Sequence, residues 1–77
     1  MSIKERVIEI LSDVTYKEQD EITVEKSLTD DLDLDADGQG ELAMQLEDEF
    51  DIEITDDVAD NWTTVQSVID CVASATK

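Results

Sequence analysis

The sequence predicts an all-α fold, a four-helix bundle of three main helices and one short helix with a long first loop. Three observations predict it. The 77 residues include no proline and only two glycines, Gly38 and Gly40, whereas strand-and-turn architectures usually need more of both. Apolar residues recur at helical spacing in three separate stretches. Leu, Ile, Val and Phe together make 21 of the 77 residues, above the share typical of disordered chains. At this length a single domain over residues 1–77 is the ceiling.

Each element has its own signal. Ser2-Ile3-Lys4-Glu5 has the S-x-x-E form of a capping box, in which the serine oxygen accepts from one free amide and the glutamate reaches back to another. Ile3, Val7, Ile10, Leu11 and Val14 then form one stripe, so a first helix is expected over about 3–14, with Ile8 on its flank. Residues 15–34 are polar and mixed, with Ile22, Val24, Leu28, Leu32 and Leu34 scattered through them. The expectation is a structured loop of about 20 residues pinned where those side chains reach the core, longer than ordinary connections. A second helix is expected over roughly 37–50, burying Leu42, Ala43, Leu46 and Phe50 and leaving Glu41, Met44, Gln45 and Asp48 off the stripe. Its start reads as soft, because Gly38 and Gly40 each cost about 1 kcal/mol relative to alanine inside a helix. Ile52 and Ile54 belong to a short link. Thr55-Asp56-Asp57 is a cap with an acidic first turn, opening a brief third helix to about Asn61. Thr63-Thr64-Val65-Gln66 reads as a T-x-x-Q capping box for a fourth helix to about Ser74, with Val65, Val68, Ile69 and Val72 on its stripe.

The charge balance excludes whole classes of function. There are 22 acidic residues against 5 basic ones, a net charge of −17. A nucleic-acid binder depends on Lys and Arg to neutralise phosphates, and an anionic membrane surface repels such a chain. Between Lys26 and Lys77 there is no basic residue and there are 15 acidic ones. A surface serving solubility alone normally mixes both signs, so the one-sided field points to basic patches on partner proteins, found by electrostatic steering. No His is present, which removes the commonest general base and metal ligand. Cys71 stands alone and fits a reducing compartment. The first residues lead into no signal-peptide core and no apolar run approaches a bilayer span, so the expectation is a cytoplasmic, non-catalytic monomer that neither binds nucleic acid nor inserts into membranes.

The densest feature runs from Asp30 to Leu42. From Asp33 it matches D-x-D-x-D-G, the first half of a calcium loop, with Asp33, Asp35 and Asp37 as alternate carboxylates and Glu41 at the ninth position. The twelfth position, where a bidentate Glu belongs, is Met44. A small acidic calcium-binding module using Asp33, Asp35, Asp37 and Glu41 is therefore the alternative reading, with charge relief by weakly held cations in place of a tight site.

The leading reading comes from a resemblance. Asp31-Leu32-Asp33-Leu34-Asp35-Ala36-Asp37, then Glu41-Leu42, then Leu46-Glu47-Asp48-Glu49-Phe50-Asp51-Ile52-Glu53-Ile54, resembles the acyl carrier protein pattern D-L-G-x-D-S-L-x-x-V-E-L … L-E-E-x-F-x-x-x-I. Thr63-Thr64-Val65 and Ile69 resemble the family's last helix, and the likeness covers nearly the whole chain. It implies a four-helix bundle with a long first loop. It also implies a non-catalytic carrier of acyl intermediates in fatty-acid or polyketide-like biosynthesis, on a 4′-phosphopantetheine arm. Asp35 matches the Asp before the attachment serine, but Ala36 occupies the serine position and offers no oxygen for a phosphodiester. Asp37 and Gly40 replace the usual Leu and Val. An engineered knock-out explains Ala36; a specialised or degenerate carrier explains Ala36, Asp37 and Gly40 together. The resemblance further implies partner contacts through Glu41, Met44, Glu47 and Asp48, and an acyl pocket lined by Leu46, Phe50, Ile54 and Trp62, which the Trp62 indole would shorten or close. The implied partners are a phosphopantetheinyl transferase and the basic patches of acyl-transferring or synthesis enzymes.

Overall fold

The computed structural model describes residues 2–76. Among them the chain forms four α-helices and no strand: α1 (Ile3–Thr15), α2 (Ala36–Phe50), α3 (Asp56–Asp60) and α4 (Val65–Ala75). The four-helix expectation holds, and its boundaries fall within one or two residues.

Helix α1 starts where the capping motif places it, with Ser2 Oγ accepting the Glu5 N–H at 3.1 Å. Val7, Ile10 and Leu11 are buried, and Ile3, Ile8 and Val14 pack half-buried around them. The helix ends at Tyr16, which takes the left-handed conformation (φ 60°) with its ring almost wholly exposed.

The long loop is held by backbone pairing that its apolar residues alone do not announce. Residues 24–28 run antiparallel to the entry of α4. Gln66 N–H donates to the Val24 carbonyl at 3.0 Å, Val65 N–H to Lys26 at 3.1 Å and Leu28 N–H to Thr63 at 3.0 Å. A tight turn follows, in which Ser27 Oγ accepts from Asp30 N–H at 3.2 Å while Asp31 accepts from Ser27 N–H at 2.7 Å. The turn sinks Leu28, Leu32 and Leu34 into the core, so an irregular segment still satisfies its backbone.

The start of α2 is capped by a side chain in spite of its two glycines. Asp35 Oδ1 accepts the Gly38 N–H at 2.7 Å, and the Asp35 carbonyl accepts from Gln39 N–H at 2.8 Å. Gly38 is a close-approach position: a Cβ there would lie 2.8 Å from Leu34 Cδ1. The stripe is narrower than expected, with Leu42 and Leu46 buried but Ala43 and Phe50 only half-buried. Thr55 caps α3 as expected. At α4 the cap is one residue later than predicted. Thr64, not Thr63, accepts from Ser67 N–H at 3.3 Å. Gln66 closes no capping box and donates to Asp70 at 2.9 Å, because pairing with the loop fixes where the last helix begins. Val65, Val68, Ile69 and Val72 are buried as their spacing predicts. Helix α1 packs on α2 and α4, and α3 leans on α2, leaving a groove between α2 and α3.

Candidate functional site: the α2–α3 groove

The groove encloses about 630 Å³ and begins at the N-terminus of α2. On the α2 side its wall runs from Ala36 through Gly40, Ala43 and Met44 to Glu47. On the other side stand Ile54 of the link and Asp56, Ala59 and Asp60 of α3. Asp37 and Glu41 rise from α2 at its rim.

Two local devices set this geometry. The Asp35 side chain caps α2 and thereby places Ala36 at its first helical position, exposed to solvent. Glu47 fixes the other wall. Its Oε2 accepts the Ile54 N–H at 2.9 Å, tying the link to α2 and so setting where α3 starts. No sequence pattern announces that bond, since donor and acceptor sit on either side of a helix end. Asp56, Ala59 and Asp60 were likewise invisible as site residues, because only the docking of α3 brings them opposite α2.

The predicted site residues separate into groups. Ala36, Glu41, Met44, Glu47 and Ile54 line the groove, and Met44 is 65% exposed despite being apolar. Asp48 is exposed and lines a shallower hollow with Met44, Gln45 and Glu47. Leu46 and Trp62 lie in the core, and Trp62 Nε1 is buried without a hydrogen-bond acceptor. Phe50 faces a different hollow with Ser2, Ile3 and Arg6 at the far end of α2. Beside it Arg6 donates to Glu49 at 2.6 Å and to Glu9 at 3.1 Å; this hydrogen bond holds the Glu49 carboxyl below the usual range.

Asp33, Asp35, Asp37 and Glu41 make no calcium loop here. Asp35 is spent on capping α2, and Asp33 sits in a left-handed turn (φ 56°) before the helix. Among the described residues no three acidic or cysteine side chains converge as metal ligands.

A long anchored loop, an acidic second helix and a short third helix beside it define a carrier-type domain. Its relatives agree. The family model described as the phosphopantetheine attachment site matches residues 5–72, and the chain belongs to that family, whose cofactor is 4′-phosphopantetheine and whose members are generally non-catalytic carriers. A Mycobacterium tuberculosis protein assigned as an acyl carrier protein superposes with a TM-score of 0.89 at 33% identity, over 95% of this chain and 97% of that one. The solution structure of the apo doublet acyl carrier protein from prodigiosin biosynthesis superposes with a TM-score of 0.82 at 20% identity, over 95% of this chain and 35% of that one. It shares the fold.

Ala36 is exposed and follows the capping Asp35, but its side chain ends in a methyl group. It has no oxygen to carry a phosphodiester.

Proposed function

We propose that this chain is a specialised acyl carrier that acts in fatty-acid or polyketide-like biosynthesis as a docking partner, without an arm of its own. The observation that carries the proposal is Ala36, at the capped start of an exposed acidic helix. The docking half of a carrier is present and the covalent half is missing. Met44 offers an apolar contact between the carboxylates of Glu41 and Asp48, and Glu47 shapes the wall beside them. Binding to the basic patches of biosynthetic enzymes would be fast and transient, since steering by a charge of −17 raises the association rate more than the affinity. The chain works as a cytoplasmic monomer, because copies bearing the same strong charge repel one another.

The test is intact-mass measurement after incubation with coenzyme A, Mg²⁺ and broad-specificity phosphopantetheinyl transferases. The chain with Ala36 is expected to gain no mass, and Ala36→Ser to gain one prosthetic group. A mass gain on the Ala36 chain would place the attachment site elsewhere. No gain on Ala36→Ser with several transferases would mean that the acceptor position has lost more than its hydroxyl, with Asp37 and Gly40 the first suspects.

A further inference from the structure

The chain contains a single Asp–Gly pair, Asp37–Gly38, and no Asn–Gly pair. The pair lies in the first turn of α2, directly after Ala36. Packing demands the glycine, since a Cβ at position 38 would lie 2.8 Å from Leu34 Cδ1. Asp37 is exposed and adds a favourable charge to the start of the helix. An aspartate before a glycine can close a five-membered ring on the main chain, because no Cβ shields the following nitrogen. Closure needs two things that this structure withholds. The Gly38 nitrogen must be free, but its N–H donates to Asp35 Oδ1 at 2.7 Å. Residue 37 must also leave the helical ψ of about −42°, so that its Cγ can swing over that nitrogen.

We infer that Asp37–Gly38 is a site of isoaspartate formation which the Asp35 cap holds closed, so that covalent ageing of this chain begins where α2 frays. Helix ends open locally far more often than the whole fold unfolds. When the first turn opens, the Gly38 nitrogen attacks Cγ of the protonated Asp37 carboxyl. A C–N bond forms and the C–OH bond breaks, and the hydroxyl leaves with the amide hydrogen as one water. Water then adds to either carbonyl of the succinimide. One opening restores aspartate; the other leaves the main chain running through Cβ. Overall mass is unchanged, and the reaction needs no oxidant or reductant. The product has one extra backbone atom at residue 37. The ring closed by the Gln39 N–H on the Asp35 carbonyl spans that residue and grows from the helical 13 atoms by one, so the capped turn does not re-form. The damage falls on position 36 and the entry of α2 and leaves the buried Leu42 and Leu46 in place. The cap thus sets the working life of this end of the helix, whether or not the chain docks or is loaded.

The chain is incubated in mildly acidic buffer, folded and in concentrated urea. Isoaspartate is read by methyl transfer from S-adenosylmethionine with an isoaspartyl methyltransferase and located by electron-transfer fragmentation. It is expected at residue 37, forming quickly in urea and slowly in the folded chain. Asp35→Ala is expected to raise the folded rate about tenfold, the scale on which one lost cap loosens a first turn. Asp35→Asn caps equally well and is expected to keep the rate low. Asp37→Glu, whose ring would need a sixth member, is expected to abolish the signal. Circular dichroism and thermal melts check that each variant folds. Should Asp35→Ala not fold, amide exchange at Gly38 in the unaltered chain takes its place: folding is expected to slow exchange and isoaspartate formation by the same factor. Equal rates in the folded and urea-unfolded chain would overturn the inference, as would a folded Asp35→Ala that reacts no faster. Two factors that differ by more than about tenfold would also overturn it, and methylation that survives Asp37→Glu would overturn the site.

Discussion

Asp33 lies between the buried Leu32 and Leu34 with φ 56°, so the chain must turn left-handed there to sink both leucines. For most L-residues that conformation costs roughly 1–2 kcal/mol, and Asp and Asn are among the few that visit it. The family pattern carries glycine at this position. Asp33→Gly relieves the strain and removes a negative charge, against glycine's entropic penalty of about 0.5–1 kcal/mol. The expected net is a stabilisation of somewhat under about 1 kcal/mol, a rise of a few degrees in Tm for a domain this size; a fall in Tm would mean that the Asp33 side chain does more than tolerate the turn. Trp62 poses the opposite problem, a well-packed ring whose Nε1–H is buried with no acceptor. An unmade hydrogen bond of this kind costs about 1–3 kcal/mol. Trp62→Phe keeps most of the ring and discards the donor, so denaturant unfolding should place it within about 1 kcal/mol of the unaltered chain. Trp62→Ala should lose about 3–5 kcal/mol. If Phe costs as much as Ala, the indole N–H has a partner that contributes to stability.

The two glycines of α2 separate local propensity from packing. At Gly40 nothing opposes a side chain, so Gly40→Ala should stabilise the fold by about 1 kcal/mol through helix propensity alone. At Gly38 the added Cβ would press on Leu34 Cδ1 at 2.8 Å, and Leu34 is buried with little room to yield. Gly38→Ala should therefore forfeit that gain or destabilise, and paired urea unfolding curves read the difference. A gain at both positions would show that Leu34 moves freely. The same pair illustrates what was legible in the sequence. The stripes Val7–Ile10–Leu11, Leu42–Leu46 and Val65–Val68–Ile69–Val72 could be read directly, because a helix buries residues by spacing alone. Gly38 looked like a weak point because its contact with Leu34 depends on how the loop enters the helix, which helical spacing does not report. The same reason hid the pairing of residues 24–28 with the entry of α4 and moved the last cap from Thr63 to Thr64. Of the groove, Ala36, Glu41, Met44, Glu47 and Ile54 were visible as candidate site residues, while Asp56, Ala59 and Asp60 became part of it only through the Glu47–Ile54 bond that sets α3.

At the scale of the whole molecule, charge governs stability. Two opposing effects act as pH falls. The Arg6 hydrogen bond holds the Glu49 carboxyl below its usual range, so that pair contributes in full above the unfolded carboxylate value and is lost as pH drops through the lower folded value. Self-repulsion acts the other way, since every proton taken up reduces the net charge of −17. Stability is therefore expected to rise as pH falls from neutrality toward the carboxylate range, and to collapse only below it; Arg6→Gln should move the acid collapse to higher pH. Salt isolates the repulsive part at fixed protonation. The molecule measures 27 × 27 × 18 Å. At ionic strengths near 0.01 M the screening length of about 30 Å spans it, whereas at about 0.1 M the length falls to about 10 Å and charges on opposite sides no longer interact. Screening also weakens the Arg6 pairs with Glu9 and Glu49, but exposed ion pairs contribute little beside 22 carboxylates. Thermal melts at neutral pH should shift upward across that range, and further when Mg²⁺ or Ca²⁺ replaces Na⁺ at equal ionic strength, because a divalent ion adjoins two carboxylates at once without needing a built site. Coincident melts at low and moderate salt would remove repulsion from the account and leave the acidic surface to partner recognition alone.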